Sequence, residues 1–257
     1  AQAKFSFGVF LPTFRSAAER SPVPARLPAT VRGVMFDTCN VLYDATAWRH
    51  WLLKVLHRLG VQTSYRCLFR VWDRDYLEAV HRGQREFGEA FPSFLRSVGL
   101  SAGQISELLA TCETRRRELE QTARPLPGVP ATLATLHRAG LSLAVVGNCA
   151  QPASEMRRRL ARFSIGPFFS AVVSSVDVGA TMPERACYLA VLDEMRLAAE
   201  EVAFVAHDTA PLAGAAALGM KTVALNPDPD AASDVRIDHF EDLIDLLGAR
   251  RPYAAAG

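Results

Sequence analysis

The chain has 257 residues, 49% of them hydrophobic and 22% charged, and a formal net charge of +2 from 29 basic and 27 acidic side chains. That composition excludes a wholly disordered chain, collagen and low-complexity arrays. The near-neutral balance argues against nucleic acid as a partner and gives no overall field toward an anionic membrane. The longest weakly polar stretch, Ala210 to Met220, is about half of the roughly 20 residues that a bilayer span needs.

The five cysteines, Cys39, Cys67, Cys112, Cys149 and Cys187, form no C-x-x-C pair, and the histidines form no H-E-x-x-H pair. This usage predicts free thiols in a reducing, cytoplasmic setting and no structural metal. Residues 1–30 carry Pro12, Pro22, Pro24 and Pro28 and a single acid, Glu19. They predict an N-terminal arm that is poorly ordered or draped on the surface.

Short apolar runs follow at Val31 to Phe36, Leu141 to Val146, Phe169 to Ser174, Val202 to Ala206 and Lys221 to Leu225. Each is flanked by Gly, Asn, Asp or Ser, as strands buried on both faces are. Between them lie helical patterns at Val129 to Ala139, Pro152 to Phe163, Glu184 to Met195 and Ala210 to Leu218, with Gly140 and Gly219 at C-terminal positions. This alternation predicts an α/β fold: a Rossmann-like parallel sheet with helices on both faces. Residues 47–124 break the pattern, reading only as helix. Trp48, Trp51, Leu52, Val55, Leu56 and Leu59 form an apolar stripe there, and Ser101 with Gln104 suits a capping box. The expected organisation is an α/β core of residues 31–46 and 125–247, an all-helical cap of residues 47–124 inserted after the first strand, and a tail of residues 248–257. Because ligands of such sheets bind beyond the carboxyl ends of the strands, the insert is placed to act as a lid.

Residues just after each strand should face one another across that crevice. They are Asp37 to Leu42 after the first strand, Gly147 to Cys149 after the second, Thr181 to Glu184 before the helix that follows the third, and His207 to Thr209 after the fourth. Two carboxylates, Asp37 and Asp208, thus converge from separate strands. An isolated aspartate in such a place commonly forms a turn or caps a helix; two in one crevice point to chemistry.

These residues resemble the haloacid dehalogenase (HAD) superfamily, in the branch with a helical cap between the first two motifs. The first motif of that family reads D-x-D-G-T-L after an apolar run, and here Val34-Met35-Phe36 precede Asp37-Thr38-Cys39-Asn40-Val41-Leu42. Asp44 matches an acid at the cap entrance. Pro127 to Val129 match the lead into the second strand, and Asp208 with Gly214-Ala215 and Gly219-Met220 matches the fourth motif. The resemblance implies a phosphoryl-transfer site for a small phosphorylated molecule. Asp37 would be the nucleophile, and Asp37, the backbone carbonyl of Cys39 and Asp208 would hold Mg²⁺. Gly147 and Asn148 fall in the second motif, where a Ser or Thr hydroxyl is usual, and Met182 falls in the third, where a Lys is usual.

The departures imply a degenerate site. Cys39 replaces the acid/base aspartate, Gly147 the hydroxyl and Met182 the cation, while Pro211 and Leu212 stand where a second acid would follow Asp208. A hydrolase of little or no turnover is expected, with a non-catalytic binding or scaffold protein as the alternative. A metal-independent dehalogenase is a lesser one, because it too resembles enzymes that need the missing hydroxyl and lysine. Arg185, one turn from Met182, is a weak substitute cation. Cys39 and Cys149 read as small apolar fillers rather than a reactive pair, and His207 should point away from Asp208. Arg115 to Arg117 and Arg157 to Arg159 with Arg162 read as solvated helix faces; otherwise they or the N-terminal arm would meet a protein partner. Trp72, Tyr76, His81 and Arg82 are placed to line the roof of a pocket or to pack within the insert.

Overall fold

The structure is a computed structural model that describes residues 26–227 and 231–249. The arm through residue 25 and the tail from residue 250 lie outside the described residues.

Six parallel strands form one sheet: β1 (Gly33–Asp37), β2 (Ser142–Gly147), β3 (Phe169–Ser174), β4 (Val202–Ala206), β5 (Lys221–Leu225) and β6 (Val235–Ile237), in the order β3-β2-β1-β4-β5-β6. The order reverses at β1, so crossovers leave it in opposite directions and open a crevice at its carboxyl end. Successive residues of β1 face opposite sides. Val34 and Phe36 join Val145, Val205 and Val223 in one core, and Met35 joins Ala144, Val146 and Phe204 in the other. Both faces are covered by helices, which is why these strands read as continuous apolar runs.

The helices in chain order are α1 (Ala47–Arg58), α2 (Tyr65–Trp72), α3 (Glu78–His81), α4 (Phe87–Ser97), α5 (Ala102–Thr122), α6 (Val129–Arg138), α7 (Ala153–Arg162), α8 (Ser175–Val178), α9 (Arg185–Met195), α10 (Thr209–Ala216) and α11 (Asp242–Leu246). A single π turn, Asp73–Leu77, joins α2 to α3. Ser101 and Gln104 close a reciprocal capping box at the start of α5. The insert α1–α5 has its own apolar centre, in which Trp72 is 1% exposed and packs on Phe87, Phe91 and Phe94. Trp72 is therefore core rather than roof. None of the helices among the described residues is long and apolar enough to cross a membrane.

The two chain crossings into and out of the insert lie side by side. Tyr43 bridges Pro125, and Leu126 N–H donates to the Leu42 carbonyl at 2.9 Å. Beyond these crossings, part of the insert rests on the core near α8. Ser175 Oγ donates to the His81 carbonyl at 2.7 Å, Arg82 pairs with Glu184, and Gly83 lies against Val176.

Candidate active site

The first strand ends on a buried acid. Asp37 is 7% exposed, and its register partner on the neighbouring strand is Val146. The chain then turns sharply. Asn40 sits at φ 59°, its N–H donates to the Tyr43 carbonyl at 2.9 Å, and Leu42 N–H donates to the Thr38 carbonyl at 3.0 Å. Asn is among the few side chains that enter the left-handed region at low cost, so it serves where a glycine would be the default.

The turn points donors back at Asp37. Thr38 N–H donates to its Oδ1 at 2.6 Å, and the backbone of Cys39 also bonds the carboxyl. These bonds favour the ionised form but do not win. Burial, reinforced by the like charge of Asp208, pushes Asp37 up to about 7. Asp208 itself is exposed and stands at the N-cap of α10, two residues past β4. The expected convergence of Asp37 and Asp208 is thus present and is electrostatically felt.

The thiols beside them are not poised to react. Burial first, then Asp37 and Cys149, pushes Cys39 up to about 12, and burial also raises Cys149. A thiolate is the nucleophilic form, so both act as small fillers. His207 turns aside, with Nδ1 3.1 Å from the Leu225 carbonyl. Arg185 is exposed at the first turn of α9.

Asn148 and Met182 meet across the crevice. Asn148 Nδ2 donates to the Met182 carbonyl at 3.1 Å and its Oδ1 accepts from Met182 N–H at 2.8 Å. The Met182–Pro183 peptide is cis. The Asn148 amide is therefore spent on holding the chain at residue 182, whose side chain is buried in the apolar cluster with Met35 and Val146. Asn148→Leu should remove both bonds and leave two buried backbone groups unpaired, lowering stability by on the order of 2–4 kcal/mol in urea unfolding. A loss below about 0.5 kcal/mol would show that the clamp is dispensable.

Sequence reasoning missed Arg49. It projects from α1, forks onto Asp73 with bonds of 2.8 and 2.6 Å, and lies 5.0 Å from the centre of the Phe69 ring. Its charge acts on Cys39, so the insert brings a cation to the loop after β1. The available signal was a cation, Arg49, directly after the Trp48 that opens the apolar stripe. The arginine runs, by contrast, are paired within the fold. Arg116 and Arg117 meet Glu113, Arg115 meets Glu118, Arg158 meets Glu155, and Arg159 and Arg162 share Glu120. Arg159 also donates to Tyr43 Oη at 3.1 Å.

Among the described residues no group of three or more His, Cys, Asp or Glu side chains is arranged to hold a metal. Two carboxylates with a nearby backbone carbonyl are still the kind of set that Mg²⁺ accepts, because it keeps waters and uses substrate phosphate for its remaining positions.

The profile of the family described as haloacid dehalogenase-like hydrolase matches residues 72–225. The chain is similar to the glyceraldehyde 3-phosphate phosphatase of Methanocaldococcus jannaschii, with 24% identity over 84% of this chain and 97% of that protein. It is 28% identical to the phosphoglycolate phosphatase of Yersinia pseudotuberculosis, over 85% of this chain and 94% of that one. A solved dehalogenase with an intermediate complex shares the fold at a TM-score of 0.64 and 21% identity, covering 88% of this chain and 100% of its own.

Proposed function

This chain belongs to the haloacid dehalogenase-like hydrolases, and within that family we propose that it is a phosphatase-type member for small phosphorylated molecules whose eroded site turns over slowly or not at all. The observation that carries the reading is Asp37, buried at the end of β1 beside Asp208, with a thiol at residue 39 and a methionine at residue 182. A carboxylate at residue 37 would be the attacking group, and a thiol and a methionine stand where groups that would speed the attack are expected.

Asp37 would attack phosphorus, forming an acyl phosphate as the P–O bond to the substrate alcohol breaks and the alcohol leaves with a proton. Water would then release phosphate and restore the carboxylate, which divides hydrolysis into two easier steps. Asp37, Asp208 and the Cys39 carbonyl would hold Mg²⁺, which when bound supplies positive charge between the carboxylates and an anionic substrate. A thiol held at about 12 cannot serve as general base for the second step or as an efficient acid for the first. A positioned acid/base is worth typically ~10²–10⁴-fold, and a stabiliser of developing negative charge on the order of 10²–10³-fold. The insert would act as a cap over the crevice, with Arg49 in its roof. The unpaired cysteines fit a cytoplasmic setting.

The test is Mg²⁺-dependent hydrolysis of a panel of small phosphate esters, with Asp37→Ala purified identically. The expected result is a rate above that of the variant yet far below the ~1–10³ s⁻¹ of ordinary enzymes. Turnover within that ordinary range would overturn the erosion. Equal rates with retained phosphate binding would favour the non-catalytic binding role, and no phosphate binding would sink the substrate class as well.

A further inference from the structure

Gly147 ends β2 with no positive φ, so its backbone does not require glycine. What it lacks is room. A Cβ at this position would lie 2.7 Å from Thr38 Oγ1, 3.0 Å from Thr38 Cγ2 and 3.3 Å from Met156 Cε. The register that sets Asp37 opposite Val146 places the next residues, 38 and 147, side by side at the carboxyl ends of β1 and β2. Thr38 is 4% exposed, so its side chain is packed into this space rather than hanging over it.

The Thr38 hydroxyl faces both Cys39 and Asp37. Its hydrogen bond to Cys39 Sγ spans 3.6 Å onto a weak acceptor, and it also bonds the Asp37 carboxyl. A buried hydroxyl already turned toward the Asp37 carboxyl is placed to donate to an anionic oxygen that enters beside it. We infer that residues 38 and 147 share one side-chain slot flanking Asp37, that Thr38 fills it, and that its hydroxyl receives an oxygen of the anionic ligand. The hydroxyl absent at residue 147 is thus supplied from the neighbouring strand end, and Gly147 is small because Thr38 is there. The ligand role rests on the proposed function; the shared slot does not.

The probe is inorganic phosphate with Mg²⁺, titrated calorimetrically into the full chain and five variants, with thermal unfolding run on each. Thr38→Val keeps the shape and removes the hydroxyl; its phosphate affinity should fall about tenfold, with an unfolding temperature within a few degrees of the parent's. Thr38→Ser should bind as the parent does, a rescue that a purely space-filling role would not produce. The double variant Thr38→Ala with Gly147→Ser should recover most of the affinity lost by Thr38→Ala alone. Parent-like binding by Thr38→Val overturns the inference and leaves the proposed function standing. If Thr38→Val does not fold, the Thr38→Ala pair decides, and no recovery overturns the inference. A parent that binds no phosphate overturns the ligand role together with the proposed function. The slot is then judged from unfolding: Gly147→Ser should lower the unfolding temperature with Thr38 present and not with Ala there, and equal losses in both backgrounds overturn it.

Discussion

In metal-free buffer at pH 8, Asp37→Asn should unfold at a clearly higher temperature than the parent, and the gain should vanish as the pH is lowered to about 4. Asp37 rises from the usual 3.8 to about 7 on folding. Between those two values the folded chain holds a proton that the unfolded chain has lost. Stability therefore falls as pH rises through that window, and the loss is complete above about 7. Three units correspond to on the order of 4 kcal/mol, a ceiling that residual hydration of the crevice would lower. Asparagine keeps an oxygen for the Thr38 N–H, which lies 2.6 Å from Oδ1, and carries no charge to desolvate. Adding Mg²⁺ at pH 8 should raise the unfolding temperature of the parent more than that of the variant, because a ligand that binds only the folded state stabilises in proportion to its affinity. Thermal scans at pH 4, 6 and 8, with chelator and with Mg²⁺, decide the matter. An Asn variant no more stable than the parent at pH 8 would mean that Asp37 is already compensated.

The parts of the fold that were legible are those where one strand carries its own signal. The runs at β1 to β5 are apolar on both faces and punctuated by polar residues, so their existence and order follow from local chemistry. The first strand begins at Gly33 rather than Val31 because Val31 N–H turns back to the Pro28 carbonyl. Strand β6 was invisible: Val235-Arg236-Ile237 is three residues with a charge at its centre. It is held as an edge by Asn226 N–H on the Ile237 carbonyl and by Asp234 on Thr222. The pairing of Asp37 with Asp208 could be read because strand ends in a parallel sheet share one edge. Arg49 could not, since its orientation depends on Asp73 one helix away and on the Phe69 ring. Nor could the fit of Thr38 against Gly147, which is a matter of interatomic space.

The largest effect expected on rate is a gain. The double variant Cys39→Asp with Met182→Lys should raise Mg²⁺- and Asp37-dependent ester hydrolysis by at least ~10²-fold over the parent. The two changes need each other. Cys39→Asp alone adds a carboxylate where Asp37 is already pushed up by burial and by Asp208, so it should destabilise the chain and leave the rate unchanged. Met182→Lys alone places an ammonium at a site 5% exposed, which is tolerated only if Asp37 compensates it. That pairing has a signature of its own. Asp37→Ala should cost little in the parent and several-fold more, in unfolding equilibrium constant, when Lys occupies residue 182. With both changes the lysine favours the ionised nucleophile while the new aspartate serves proton transfer, and Mg²⁺ offsets the added negative charge. Because groups that act as a unit do not contribute additively, the single variants should together fall well short of the double. The measurement is kcat/KM on the best ester of the panel for the parent, both singles, the double, and the double carrying Asp37→Ala. A folded double variant whose rate matches its Asp37→Ala control would show that residues 39 and 182 are not what holds this site back.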